Sequence, residues 1–412
     1  MTRAGRHDRP SGFLVRGSSV LRKKDTHQQT VETKNSLRND GGMSRRKLLG
    51  GVALASSAAL LSACSGEAKE CASGPAVLSK QRQLKMVTSW PKNFPGLGTG
   101  VERLAKRIEA LSDGSMTVKV YAAGELVGAL GGFDAVSQGK ADMYHAAEYY
   151  WQGKSPAFNF FAAVPMGMTA AEMNAWVRFG GGQELWDELS GRFNIKPFLA
   201  GNTGVQMGGW FQKDINSVED FQGLRIRMPG LGGEVMQRLG ATPVTKQGGE
   251  IFQALSQGNI DASEWIGPWN DLAFGFHTIV KNYYYPGIHE PGASLSLGLN
   301  KDLWNDMSPR EQEIIRTAAA AENDIMFAEF NANNARALDT LVNEHGVKLK
   351  KFSDDILIAL GKLSAEVLAD AAKTDDLTAR VFESFSKARA EGIRWGAISE
   401  QAFAHARSLI NS

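Results

Sequence analysis

The sequence predicts an α/β protein of two domains bridged by one long helix, on three observations. Leu84–Trp90, Val101–Leu111 and Met116–Tyr121 read as strand, amphipathic helix and strand, the unit that builds parallel sheet. The segment Phe133-Asp-Ala-Val-Ser-Gln-Gly-Lys-Ala-Asp142 recurs as Phe252-Gln-Ala-Leu-Ser-Gln-Gly-Asn-Ile-Asp261, 119 residues later. Ser308-Pro309-Arg310-Glu311 opens a helical pattern of about 37 residues, a rod of roughly 55 Å at 1.5 Å per residue. A chain of 412 residues is also too long for one ordinary core.

The chain begins with an address. Residues 1–47 carry twelve Lys/Arg against four Asp/Glu, so the net charge of +2 is a leader of +8 on a remainder of −6. The basic balance belongs to the leader and gives no reason to expect nucleic acid as a partner. Residues 1–42 are polar and aperiodic, which predicts disorder or a start of translation at Met43. Residues 43–63 have the charged and then weakly apolar pattern of a secretory signal, far too short to span a bilayer. The Arg45–Arg46 pair resembles a twin-arginine signal, and Leu61-Ser62-Ala63-Cys64 resembles a lipobox with Cys64 lipidated. Cys64 and Cys71 could also pair; the following 341 residues contain no cysteine. Residues 64–83 read as a tether.

The body follows in order. Residues 84–204 form the bulk of a first α/β domain, which includes a strand into loop at Phe160–Pro165, a helix from Thr169 and a strand at Ile195–Ala200. Residues 205–300 form the bulk of a second, with strands at Val205–Phe211 and Gly223–Met228 and a helix at Glu234–Leu239 stopped by Gly240. Residues 301–346 hold the long helix. Residues 347–412 hold a return strand, Val347–Phe352, and amphipathic C-terminal helices. In these helices Phe382, Phe385, Ile393 and Trp395 call for a covering surface, either a second subunit or the chain's own body.

The stretch from Gly223 to Glu290 concentrates candidate chemistry. Leu224, Ile226 and Met228 alternate with Arg225 and Arg227, the period of a half-buried strand. Two guanidinium groups on a strand face can grip a carboxylate through parallel charge-assisted hydrogen bonds; they can equally be a solvated face. Asp261, Glu264-Trp265, Trp269-Asn270 and Glu290 follow. The repeated joint places Glu148-Tyr-Tyr-Trp151 after one strand and Glu264-Trp265 after its counterpart. In open α/β sheets, positions beyond the strand ends face the ligand crevice. No Walker loop, Rossmann glycine fingerprint, His-Glu-x-x-His or Gly-x-Ser-x-Gly occurs. His289, beside Glu290, reads as packing or as a neighbour of the ligating groups.

The signal with its lipobox, the helix–Gly–strand repeats, Gly223-Leu-Arg-Ile-Arg-Met-Pro, the Phe252–Asp261 segment and the rod-like helix together resemble the substrate-binding proteins of TRAP (tripartite ATP-independent periplasmic) transporters. Trp90-Pro, Glu148-Tyr-Tyr-Trp151, Gly204-Val-Gln206, Glu264-Trp265 and His289-Glu290-Pro are similar to the subgroup that binds 2-oxo acids or lactate. The resemblance implies a two-domain periplasmic-binding-protein flytrap that delivers its ligand to TRAP membrane subunits. It implies Arg227 as the carboxylate ligand, with Arg225 structural, and Gln206, Glu264 and the Trp265 backbone around a cation. Glu290 is a further candidate metal ligand, and Tyr149, Tyr150, Trp265 and Asn270 are candidate walls of the substrate site. Hard oxygen donors suit Na⁺ or Ca²⁺. The expected function is thus an extracytoplasmic receptor for a small pyruvate-like monocarboxylate. A metal-dependent lyase or hydrolase on the same acidic cluster is the alternative. Some relatives of this subgroup exchange a C-terminal helix, which implies a homodimer.

Overall fold

The computed structural model describes residues 80–410, so Arg45, Arg46, Cys64, Cys71 and most of the expected tether lie outside the described residues. Two sheets organise the chain. The first has the order β2-β1-β3-β10-β4, from β1 (Arg82–Thr88), β2 (Met116–Tyr121), β3 (Met143–Ala146), β4 (Ile195–Asn202) and β10 (Ser294–Asn300). β1 lies parallel to β2 and β3, and β10 runs antiparallel between β3 and β4. The second has the order β11-β9-β5-β8-β6-β7, from β5 (Gly209–Phe211), β6 (Arg225–Arg227), β7 (Thr242–Val244), β8 (Ala262–Ser263), β9 (Asn282–Tyr285) and β11 (Lys348–Lys351). The chain is a two-lobed α/β flytrap, one sheet per lobe.

Helices α1 (Leu97–Leu111), α2 (Gly132–Ser137), α3 (Ala170–Phe179) and α4 (Gly182–Gly191) belong to the first lobe. Helices α5 (Gly230–Arg238), α6 (Gly248–Ser256) and α7 (Pro268–Phe274) belong to the second. The sequence repeat folds as one repeated joint. Gly139 and Gly258 adopt φ +71° and +67°, the left-handed conformation that ends each helix without a side-chain clash. Asp142 Oδ2 then accepts from Lys85 N at 2.7 Å, and Asp261 Oδ2 accepts from Arg225 N at 3.0 Å. Each aspartate thus locks its own strand to the neighbouring parallel strand.

After α8 (Lys301–Asp306) comes the rod, α9 (Pro309–Asp339). Its start carries the expected capping box: Ser308 accepts from Glu311 N, and Glu311 accepts from Ser308 N at 2.7 Å. Arg103 grips Glu322 at 2.7 Å near the first lobe, and Asn334 Oδ1 accepts from Trp269 N at 3.1 Å in the second. The helix was expected to run to His345; its last turn is π-helical, Thr340–Glu344. The C-terminal helices are α10 (Asp354–Ala371), α11 (Asp376–Ile398) and α12 (Glu400–Ser408).

Several local expectations change. Arg82 and Gln83, read as tether, open β1, because the buried Arg82 side chain is clamped by Glu311 at 2.6 Å and Asp306 at 2.9 Å. Phe160 and Phe161 lie in a 3₁₀ turn, Pro156–Phe161, and not in a strand. The expected strand Val205–Phe211 keeps only Gly209–Phe211. The left-handed Gly204 (φ +70°) bends the chain, and the amides of Gln206, Met207 and Gly208 bond to Glu290, Ile266 and Tyr284. Phe385 is buried within its own chain, 5.2 Å from Phe160 and 5.3 Å from Trp176 between ring centres, and Phe382 packs beside it. These two need no second subunit. Ile393, Trp395, Ile398 and Phe403 remain more than half exposed. Among the described residues, no helix is long and apolar enough to cross a membrane.

Candidate functional site

Two chain segments link the two sheets directly, 203–208 between β4 and β5 and 286–293 between β9 and β10. They are stitched together where they cross: Thr203 N donates to Ala293 O at 3.0 Å, Gln206 N to Glu290 O at 3.2 Å, and Gly287 N to Gln206 O at 2.9 Å. Gln206 and Glu290 therefore sit on the crossovers themselves. β6 and β8 deliver Arg227 and Glu264 from the second lobe, and the 3₁₀ turn Glu148–Trp151 after β3 delivers Tyr149 and Tyr150 from the first.

Arg227 and Glu264 are fully buried and form a direct ion pair from Nη1 to Oε1. Arg227 Nε donates to Lys246 O at 3.2 Å, while its Nη2 has no partner. Glu264 Oε2 contacts His289 Nε2 at 3.2 Å. Glu290 Oε2 accepts from Gln206 Nε2 at 2.8 Å and from the Tyr149 hydroxyl at 3.4 Å, so a first-lobe side chain closes on a crossover carboxylate. Gln206 Oε1 is buried and unpartnered. The Trp265 ring lies 5.2 Å from the Arg227 guanidinium carbon and 6.5 Å from the ring of Trp90. Trp90 is fixed in turn by His145, whose Nδ1 accepts the indole N–H at 2.8 Å; burial holds that imidazole at about 4, hence neutral.

One guanidinium faces two buried carboxylates. Burial, and then the nearby Glu264 charge, push Glu290 well above the usual carboxylate range. Burial raises Tyr150 to about 12, against the opposing pull of Arg227. One ligand atom each from Glu264, His289 and Glu290 falls within 4.8 Å of the others. Two carboxylates plus the orphaned amide oxygen of Gln206 are a hard-oxygen donor set, which fits Na⁺ or Ca²⁺. The unpartnered Arg227 Nη2 beside them is free to meet a ligand carboxylate.

The sequence-expected Gln206, Arg227, Glu264, Glu290 and Tyr149 thus meet in one buried cluster made of two hydrogen-bonded groups, Arg227–Glu264–His289 and Gln206–Glu290–Tyr149, with Tyr150 and the Trp265 ring beside it. Asn270 is not part of that cluster. It is fully buried, but its Nδ2 donates to Pro95 O at 3.1 Å across the lobes. Arg225 turns to Asp261 at 2.9 Å on the solvent-exposed side. Sequence reasoning missed the contact of His289 with Glu264, for which adjacency to Glu290 was the only signal.

Residues 86–375 match the family described as bacterial extracellular solute-binding protein, family 7. The chain is 39% identical over 361 residues to a monocarboxylate 2-oxoacid-binding periplasmic protein of Nostoc sp., covering 88% of this chain and 98% of that one. A TRAP transporter solute-binding protein from Bordetella bronchiseptica, a dimer with calcium and picolinate bound, superposes with a TM-score of 0.79 at 32% identity, over 80% of this chain and 98% of that one. A second such protein, from Pseudoalteromonas atlantica with bound sodium and pyruvate, superposes with a TM-score of 0.77 at 37% identity, over 79% and 99%. Fold, crossovers and sequence therefore agree that the chain belongs to the family 7 bacterial extracellular solute-binding proteins, the solute receptors of TRAP transporters.

Proposed function

We propose that this receptor binds a small 2-oxo or 2-hydroxy monocarboxylate of pyruvate type together with Na⁺ or Ca²⁺ and hands it to TRAP membrane subunits. The observation that carries the reading is the pair of orphaned groups in one buried site, Arg227 Nη2 and Gln206 Oε1. Gln206 Oε1, Glu264, Glu290 and the Trp265 carbonyl would hold the cation. Bound there, it would supply the charge that balances the two carboxylates and a Lewis-acidic contact for the ligand's oxygens. Arg227 orients the ligand carboxylate, and Glu264 keeps the guanidinium in place. Trp90, Tyr149, Tyr150 and Trp265 enclose a short aliphatic tail and exclude water. Lobe closure around such a ligand is the usual device of two-lobed binding proteins.

The same reading extends to the chain's ends. The Arg45–Arg46 pair directs export, and Cys64 anchors the mature receptor to a membrane through lipid. The exposed apolar side chains at the end of α11 and on α12 support a homodimer through the C-terminal helices. The test of a receptor against a lyase or hydrolase is recovery. Pyruvate with calcium should raise the unfolding midpoint and be recovered chemically unchanged, as followed by NMR of the mixture. Accumulating products would overturn the reading.

A further inference from the structure

Two asparagines reach from one lobe to the other. Asn270 was noted above. Asn159 lies fully buried in the first-lobe turn Pro156–Phe161, and its Oδ1 accepts from Leu231 N, at the start of α5 in the second lobe, at 3.2 Å. Its Nδ2 donates to Pro156 O at 3.0 Å, which fixes the amide's orientation. The residue before α5 is Pro229, and no side chain at that cap position bonds the helix. The cap that most helices draw from their own chain is here supplied across the cleft. Gly230 makes the approach possible. It adopts φ +64°, and a Cβ there would fall 2.8 Å from Asn159 Oδ1 and 3.3 Å from Tyr149 Cβ. Only Met228 and Pro229 separate this docking point from Arg227. The strand that grips the ligand therefore runs directly into the contact that joins the lobes.

We propose that Asn159 is a closure latch: a positioning residue that caps α5 only when the lobes are closed, and so sets how long the ligand stays. The inference rests on the reading of the site as a closing receptor. Opening strips Leu231 N of its buried acceptor, and a hydrogen bond of this kind is comparable to the free-energy gap between open and closed forms.

The test is stopped-flow release of pyruvate from the calcium-loaded protein, with small-angle scattering of the ligand-free forms. Asn159→Ala should accelerate release about tenfold, the ratio such a bond supports, with little change in association. Asn159→Asp should restore near wild-type release at a pH low enough to protonate it, where the carboxyl accepts from Leu231 N and donates to Pro156 O. Wild-type release from Asn159→Ala overturns the latch, as does failure of Asn159→Asp to restore it. So does a lowered ligand-free unfolding midpoint with unchanged release, the mark of a purely structural cap. Should Asn159→Ala not fold, Gly230→Ala decides: its Cβ must push Asn159 away, so release should quicken, and unchanged release overturns the latch. If the wild type binds no pyruvate with calcium, the ligand reading fails separately. The scattering then carries the test: a larger radius of gyration for the folded variant supports the latch, and identical curves overturn it.

Discussion

Arg227 lies buried between a carboxylate and an indole, and its planar fork leaves one nitrogen for a ligand. Arg227→Lys keeps the charge opposite Glu264 but loses the separate Nη2 donor that the fixed fork holds out for a ligand carboxylate. Calorimetry should show binding weakened by about 2–3 kcal/mol, with the unfolding midpoint little changed; near wild-type affinity would remove Arg227 from the role. Glu148 offers a pH test. It is fully buried, accepts the Tyr144 hydroxyl at 2.8 Å, and is pushed up to about 7 by burial. A raised folded-state value means that the stability this group contributes is complete below its unfolded value and is lost as pH rises through about 7. Relative to wild type, Glu148→Gln should therefore gain up to about 3 kcal/mol between pH 4.5 and 7.5. Urea unfolding at several pH values checks it, and a pH-independent difference contradicts it. At this scale the sequence was legible where a residue announces itself by period or motif, as Arg227 and Glu264 do. Asn159 was invisible, because its partner is a backbone amide 72 residues away on the other lobe.

Elements were most legible where local chemistry dictates them. The capping box at Ser308 marks the start of α9, and Ser308→Ala should cost about 1 kcal/mol in denaturant unfolding by stripping the Glu311 amide of its acceptor; an unchanged midpoint would mean that the Arg82–Glu311 pair alone holds that end. The repeated Phe133 and Phe252 segments were legible as helix, glycine and strand because a left-handed stop leaves its mark in sequence. The strand around Val205 was overestimated. Its amides are claimed by the distant Glu290, Ile266 and Tyr284 carbonyls, and no periodicity reports that. In α11 the pattern showed that one face must be buried without saying against what. Phe385 finds Phe160 and Trp176 of its own lobe, whereas Trp395 stays exposed among the described residues.

At the scale of the whole molecule, two lobes meet over a candidate site whose groups lie on both crossovers, on the second-lobe sheet and on the first-lobe turn Glu148–Trp151. That arrangement couples ligand, cation and closure. It was legible only as a family resemblance, since the pairing of 206 with 290 is a long-range contact. Light scattering of the mature chain at micromolar concentration should report a dimer, and removal of residues after Ser399 should shift it towards monomer by taking away α12, which buries no side chain of its own; a full-length monomer would end the dimer proposal. The central claim, a carboxylate and a cation bound together, is tested most directly by calorimetric titration of pyruvate into chelator-treated protein before and after calcium is restored. The account predicts one site per chain with calcium and binding at least tenfold weaker without it, a difference of about 1.4 kcal/mol or more. Equal affinity in both titrations, or none in either, would contradict it.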